Sequence, residues 1–339
     1  MIESDPFSNF KLPPDRVSGL LAHFERRRGR AEKRLSDGIE HGWYFGIIGL
    51  EMHTASFDFA GHPIVLEEVE EPPSEVELAR ALTNPALFGA ISRYAGRIRH
   101  QLRILKCDDD DQAHFNLAWW LISLLRVRTL AEFLVPAVSD HSWSVIAALK
   151  KNTCNVQFVE DVPTAKRLAS SSPVADSDLK WVGENLLQFA QLLEIPSFRL
   201  AVESMATHQH QANDRMMVAM LWSGIESLFS IQIELSFRLA TFVATALESP
   251  GERRRDLYRR MKKLYGVRSK AVHGSKLSVQ NIHEHVVEVR QILSRLLCSF
   301  IEIGKVPSED EIENWLFGVS EESGATSTCN SEKSFGKHG

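Results

Sequence analysis

Two hydrophobic periods run along the chain, and the helical one dominates. From about Ser74 onward, apolar residues recur at three- and four-residue intervals. This predicts helices over 75–83, 86–105, 112–135 and 140–150, and a second series over 176–193, 197–209, 213–231, 233–248, 253–265, 279–304 and 308–317. Pro196, Pro250-Gly251 and Gly304-Lys-Val-Pro307 separate members of that second series. Ahead of both, Val17–Arg34 reads as a charged helix. Strand signals are fewer. Trp43–Leu50 is rich in aromatic and β-branched residues between glycines, Ala55–Glu67 alternates about the turn Gly61-His-Pro63 as a hairpin would, and Asn155–Glu160 reads as a short strand. The acidic run Glu67–Glu77 is expected to be a solvated connector that opens a helix at Ser74.

Pro163 and the cluster Ala169-Ser-Ser-Ser-Pro173 mark a loop, taken as the boundary between two parts. Beyond it, Met217, Met220, Leu221, Ile225, Leu228 and Phe229 lie close to one stripe of their helix. So do Ile282, Val286, Val289, Ile292, Leu293, Leu296 and Leu297 of another, and both stripes face a core. The expected fold is mainly α: a mixed, mostly helical α+β region over 1–170, then a helical bundle over 171–317. Residues 318–339, rich in Ser, Gly, Thr and Glu, are expected to be a disordered tail.

Composition narrows the class. With 339 residues, 44% hydrophobic and 24% charged, the chain can build a core without staples and has room for two domains. Its four cysteines (107, 154, 298, 329) contain no C-x-x-C pair, so neither a disulfide framework nor a zinc ribbon is expected. That usage suits a reducing, cytoplasmic setting. The first residues carry no signal-peptide pattern. The longest apolar run, Leu117–Leu125, is far shorter than the roughly 20 residues of a bilayer span, so no membrane association is expected.

Charge is uneven. Gly251–Lys276 holds Arg253, Arg254, Arg255, Arg259, Arg260, Lys262, Lys263, Arg268, Lys270 and Lys276 against Glu252 and Asp256, a local charge of +8 in a chain of net −5. Such a strip attracts phosphates with salt-dependent affinity. A solvated helix face with its own ion pairs accounts for the charge equally well. Inside the strip, Arg268 and His273 stand five residues apart and Gly274 follows. Five helical steps turn about 140° beyond a full turn. To meet at one phosphate, the pair needs a bend or a new helix near Gly266, or a second copy from a partner subunit. Arginine grips phosphate through a planar fork, and histidine exchanges protons near neutrality. Gly274 suggests a helix C-cap, where the helix dipole favours protonated histidine.

The string Leu264-Tyr-Gly-Val-Arg-Ser-Lys-Ala-Val-His-Gly274 resembles the R-x4-6-H signature of HEPN domains, nearest their Apea-like group. Met220–Phe229 and Glu234–Ala240 resemble that group's earlier helices, so the likeness covers about residues 200–305. It implies a helical bundle that dimerises to bring two motifs together over RNA, often as a metal-independent endoribonuclease in phage defence or toxin systems. Other members are non-catalytic binding or dimerisation modules. Carried over, Arg268 and His273 match the catalytic pair, Ser269 the polar residue after the arginine, and Glu226 and Glu234 acidic positions that orient them. Arg253, Arg254, Arg255, Arg259, Arg260, Lys262, Lys263 and Lys270 would then guide RNA. No metal or cofactor is expected, and residues 1–170 match nothing in the family.

Other patterns carry less. His208-Gln-His210 and His283-Glu-His285 are expected to be exposed histidines, because residues two apart on a helix diverge by about 200°. Asp108–Asp111 reads as a helix-leading acidic turn, and Trp119-Trp120 as core. Ser139-Asp-His-Ser142 has the residue types of a hydrolytic triad, but neighbours in sequence rarely form its geometry. Neither a Walker A motif nor a dinucleotide glycine fingerprint is present.

Overall fold

The computed structural model describes residues 22, 25–34, 42–105, 111–160, 173–211, 213–229, 231, 235–272 and 278–319. After a helix over 25–34 (α1), six strands form one antiparallel sheet in the order β2-β3-β4-β1-β5-β6. They are β1 (Gly42–Ile48), β2 (Ser56–Asp58), β3 (Ile64–Glu68), β4 (His100–Leu105), β5 (Leu134–Ser139) and β6 (Val156–Phe158). The expected hairpin is β2–β3, and the expected strands at 43–50 and 155–160 are β1 and β6.

β1 is central, and all but one of its residues are buried because both faces of the sheet are covered. Phe45 and Ile47 point into a core closed by Ala118, Leu121, Ile122 and Leu125 of α4 (Asp111–Thr129). Tyr44 and Ile48 point the other way, toward Leu78 and Ala81 of α2 (Glu75–Ala81), Ile91 of α3 (Phe88–Ile91) and Trp143. Ser74 caps α2 with a reciprocal Glu77 contact, as the acidic connector suggested.

The remaining helices are α5 (Asp176–Leu192), α6 (Pro196–Thr207), α7 (Asp214–Phe229), α8 (Leu235–Leu247), α9 (Glu252–Val272), α10 (Val279–Ile303) and α11 (Glu309–Phe317). α10 carries the strongest apolar stripe. It starts on the Ser278 cap and ends at Gly304, whose φ of +80° suits a residue without a Cβ. It packs on α4 through α9, so Phe45 and Leu102 of the sheet share one continuous core with Leu186, Trp222 and Leu293 of the bundle.

One buried ion pair reinforces that junction, and a second ties α4 to the chain just past β6. Arg290 of α10 donates to Glu132 Oε1 at 2.8 Å and to the Leu130 carbonyl at 2.7 Å. Arg126 of α4 grips both oxygens of Glu160 at 2.7 Å, and Glu160 also accepts the Val135 N–H.

Several expectations need correction. The helix at 86–105 is three short turns followed by β4: Gly96, at φ +71°, ends the last turn, and Leu102 and Ile104 then alternate into the sheet core. The helix at 112–135 stops at Thr129, where Leu130 at φ +56° reverses the chain into β5. At 140–150 there is only a 3-10 turn, Ile146–Ala148. The N-terminal half is therefore built on a full sheet rather than on helices with a few strands. Conversely, the helix at 253–265 continues through Gly266 to Val272 without interruption. The boundary loop at 161–172, most of the helix before residue 25 and the tail from 320 lie outside the described residues.

Candidate nucleic-acid interface

α9 is amphipathic in an uneven way. Leu257, Met261, Leu264 and Ala271 recur every three or four residues and face the core, with Tyr258 and Tyr265 beside them. Arg268 occupies the next place on this inner stripe. That explains why a guanidinium near the end of a basic helix is half-buried. Its Nη2 lies 3.1 Å from Glu226 Oε1 and donates to Oε2 at 3.2 Å, and its Cζ stands 5.4 Å from the centre of the Tyr265 ring. Burial raises the Glu226 carboxyl, while the charge and hydrogen bond of Arg268 pull it back.

The shelf beneath this pair is aromatic. Trp222, one turn before Glu226, meets Tyr265 edge-on at 5.4 Å and donates its indole N–H to His285 Nε2 at 2.9 Å. At the end of α9, Arg215 Nη1 donates to the Ala271 carbonyl at 2.7 Å, satisfying a main-chain acceptor that the ending helix leaves open. α7 thus holds the last turns of α9 from two places, Glu226 and Arg215.

The structure brings Arg268 and Glu226 together. Ser269 is half-buried within α9, next to Arg268 in sequence. His273, one residue past the end of α9, and Glu234 lie outside the described residues. Of the basic strip, Arg253, Arg255, Arg259, Arg260, Lys262, Lys263 and Lys270 are exposed. Arg260 is paired with Glu288, Arg255 with Glu252, and Lys262 rests over the Tyr258 ring at 5.5 Å. Arg254 points inward: its Nε donates to the Glu248 carbonyl at 2.7 Å and its Nη1 reaches the Trp315 carbonyl at 3.4 Å, closing the ends of α8 and α11.

The histidine pairs are not the exposed groups expected. His208 is buried, with Nδ1 on the Met205 carbonyl at 2.7 Å, and burial pushes its pKa down to about 3. Burial brings His285 down to about 4, Glu288 opposing and Arg260 assisting. Sequence reasoning missed His285, Trp222, Tyr265 and Arg215 as parts of this site. Only His285 carried a signal, since it falls on the same stripe as Ile282 and Val289.

Ser139, Asp140 and His141 do not form a hydrolytic triad. Ser139 Oγ accepts the His141 main-chain N–H and lies 3.3 Å from Cys154 Sγ, while His141 Nδ1 is 2.6 Å from Asp140 Oδ1. Trp119 and Trp120 are partly buried and pack against the core, and Asp108–Asp110 lie outside the described residues. No family model, curated protein or solved structure matches this chain.

Proposed function

We propose that this protein is a HEPN-like, metal-independent endoribonuclease that acts as a homodimer. The observation that carries the reading is Arg268: a guanidinium half-buried beside Glu226, in the last turns of a helix whose outer face is basic. In this reading Arg268 binds the scissile phosphate and stabilises the extra negative charge of its five-coordinate state. His273 serves as general acid or base. The ribose 2′-oxygen loses its proton and bonds to phosphorus, the bond to the 5′-oxygen breaks, and that oxygen gains a proton. The products carry a 2′,3′-cyclic phosphate and a 5′-hydroxyl. Glu226 positions Arg268, and the exposed cations of α9 lead RNA toward it. A role in phage defence or toxin-type regulation belongs to the same reading.

The test is incubation of the protein with mixed RNA in EDTA beside Arg268→Ala and His273→Ala. Cleavage by wild type alone supports the mechanism, and equal cleavage by all three rejects it.

A second reading, a non-catalytic RNA-binding module, is favoured by one feature. Glu226 already partners Arg268, whereas the exposed cations attract phosphate without it. It predicts RNA binding that survives His273→Ala and no cleavage by wild type.

A further inference from the structure

We propose that Asp140, His141 and Cys154 form a binding site for a zinc-type metal ion at the end of the β5–β6 pair. β5 ends at Ser139, opposite Val156, so the chain leaves the sheet with Asp140 beside Asn155 and Cys154. One carboxylate oxygen, one imidazole nitrogen and one thiol sulfur there lie within 4.8 Å of one another.

That donor set selects the ion. Thiolate and imidazole favour zinc and its neighbours over magnesium or calcium, which take oxygen ligands. Zinc binds these donors at about 2.0–2.3 Å, so ligand atoms in a tetrahedral shell stand roughly 3.3–3.8 Å apart. The Asp140–His141 contact of 2.6 Å must open and the widest separation must close, each by about 1 Å or less. The ion would replace the proton shared by Asp140 and His141, which passes to Nε2, and would release the Cys154 proton to solvent.

The surroundings hold the donors in place. Asn155 fixes the Asp140 carboxylate through its main-chain N–H at 2.9 Å and its side-chain amide at 2.8 Å. The Cys154 backbone is pinned at both ends, donating to the Ala81 carbonyl at 2.8 Å and accepting from Thr83 at 3.0 Å. Ser139 Oγ lies against the sulfur. Such outer contacts orient metal ligands and tune them. Cys154 is fully buried, while the Asp140 and His141 side chains keep 21% and 13% of their surface, leaving solvent a path to a fourth position. A plain hydrogen-bonded hairpin lock would explain Asp140 and Asn155. It leaves the thiol, which packs among Leu82, Trp143 and Val156, as core filler alone, and the two accounts part on whether the sulfur binds cobalt.

The test uses the full chain, freed of metal with a chelator and then titrated with Zn²⁺ against a chromophoric competitor and, separately, with Co²⁺. The expected result is one tight zinc per chain and an intense sulfur-to-cobalt absorption band, both lost in Cys154→Ser. Asn155→Ala keeps all three donors and should weaken zinc binding roughly 10- to 100-fold. It decides the matter if Cys154→Ser fails to fold. Absence of the cobalt band in wild type, a band that survives Cys154→Ser, or unchanged zinc affinity in Asn155→Ala would each overturn the site.

Discussion

Trp222 and His285 share a buried hydrogen bond in which the indole N–H donates to imidazole Nε2 at 2.9 Å, tying α7 to α10 beneath Arg268. Only a neutral histidine accepts there, and burial brings its pKa down to about 4 from 6.5, with Glu288 opposing and Arg260 assisting. The unfolded chain therefore gains a proton at this residue before the folded chain does. Stability linked to His285 is complete above about pH 6.5 and falls as the pH drops toward 4, by on the order of 3 kcal/mol at most. Urea unfolding at pH values through this window should show the loss. In His285→Gln, which can still accept from Trp222 but does not titrate, the loss should be smaller. Equal losses in both proteins would remove His285 from the acid response.

The ion pairs of α4 differ sharply in burial, and so should their worth. Arg126 and Glu160 are both buried, and Glu160 also holds the Val135 N–H. Glu160→Ala leaves a guanidinium without its counter-charge, a loss of about 3–5 kcal/mol. Arg128 and Asp178 keep 32% and 29% of their side-chain surface, so Asp178→Ala should cost about 1 kcal/mol or less. Chemical denaturation of the two variants compares them directly. Similar losses would mean the buried pair contributes no more than a surface one.

Gly224 tests a contest of opposite signs. Replacing an exposed helical glycine by alanine gains roughly 1 kcal/mol from backbone entropy. Here an added Cβ would meet Ser204 Cβ at 2.9 Å and Leu293 Cδ2 at 3.2 Å, where α7 crosses α6 and α10. Overpacking of that kind costs about 1–3 kcal/mol. Gly224→Ala should therefore lower the melting temperature, whereas Gly266→Ala, with open space around it, should raise it. A rise in both would show that the helix crossing relaxes freely.

The bundle was legible because its helices bury one stripe and expose the other. Ile282, Val286, Val289 and Leu293 announce α10 from spacing alone. The sheet was legible only in part: the patterns at 43–50, 55–67 and 155–160 mark β1, β2, β3 and β6, whereas the spacing of Ile91, Tyr94, Ile98, Leu102 and Leu105 imitates a helix across β4. Leu134–Ser139 follows an apolar helix with neither glycine nor proline between them, and the reversal falls on Leu130 in the left-handed region, a position with no sequence signature. At the candidate site, Arg268 and Glu226 were singled out through the resemblance of their strings to a known signature, not through spacing. The inward turn of Arg254 was not readable, since its partners are the Glu248 and Trp315 carbonyls at helix ends. Asp140 and His141 are neighbours in sequence, but Cys154 joins them only through strand pairing, which spacing along the chain does not express.

That difference among the arginines of α9 gives the last prediction. Arg253, Arg259 and Lys263 are exposed, while the guanidinium of Arg254 is committed to two carbonyls. Each phosphate contact to single-stranded RNA contributes about 0.7 to the slope of log affinity against log salt. If the outer face of α9 binds RNA, changing Arg253, Arg259 and Lys263 together to glutamine should reduce that slope by about 2 and leave the melting temperature nearly unchanged. Arg254→Gln should do the reverse, lowering the melting temperature through the frayed ends of α8 and α11 with little change in slope. Fluorescence anisotropy across a salt series, paired with thermal unfolding, separates the two effects. A slope unaltered by the triple change would place RNA binding elsewhere on the molecule and remove the basic helix from the proposed function.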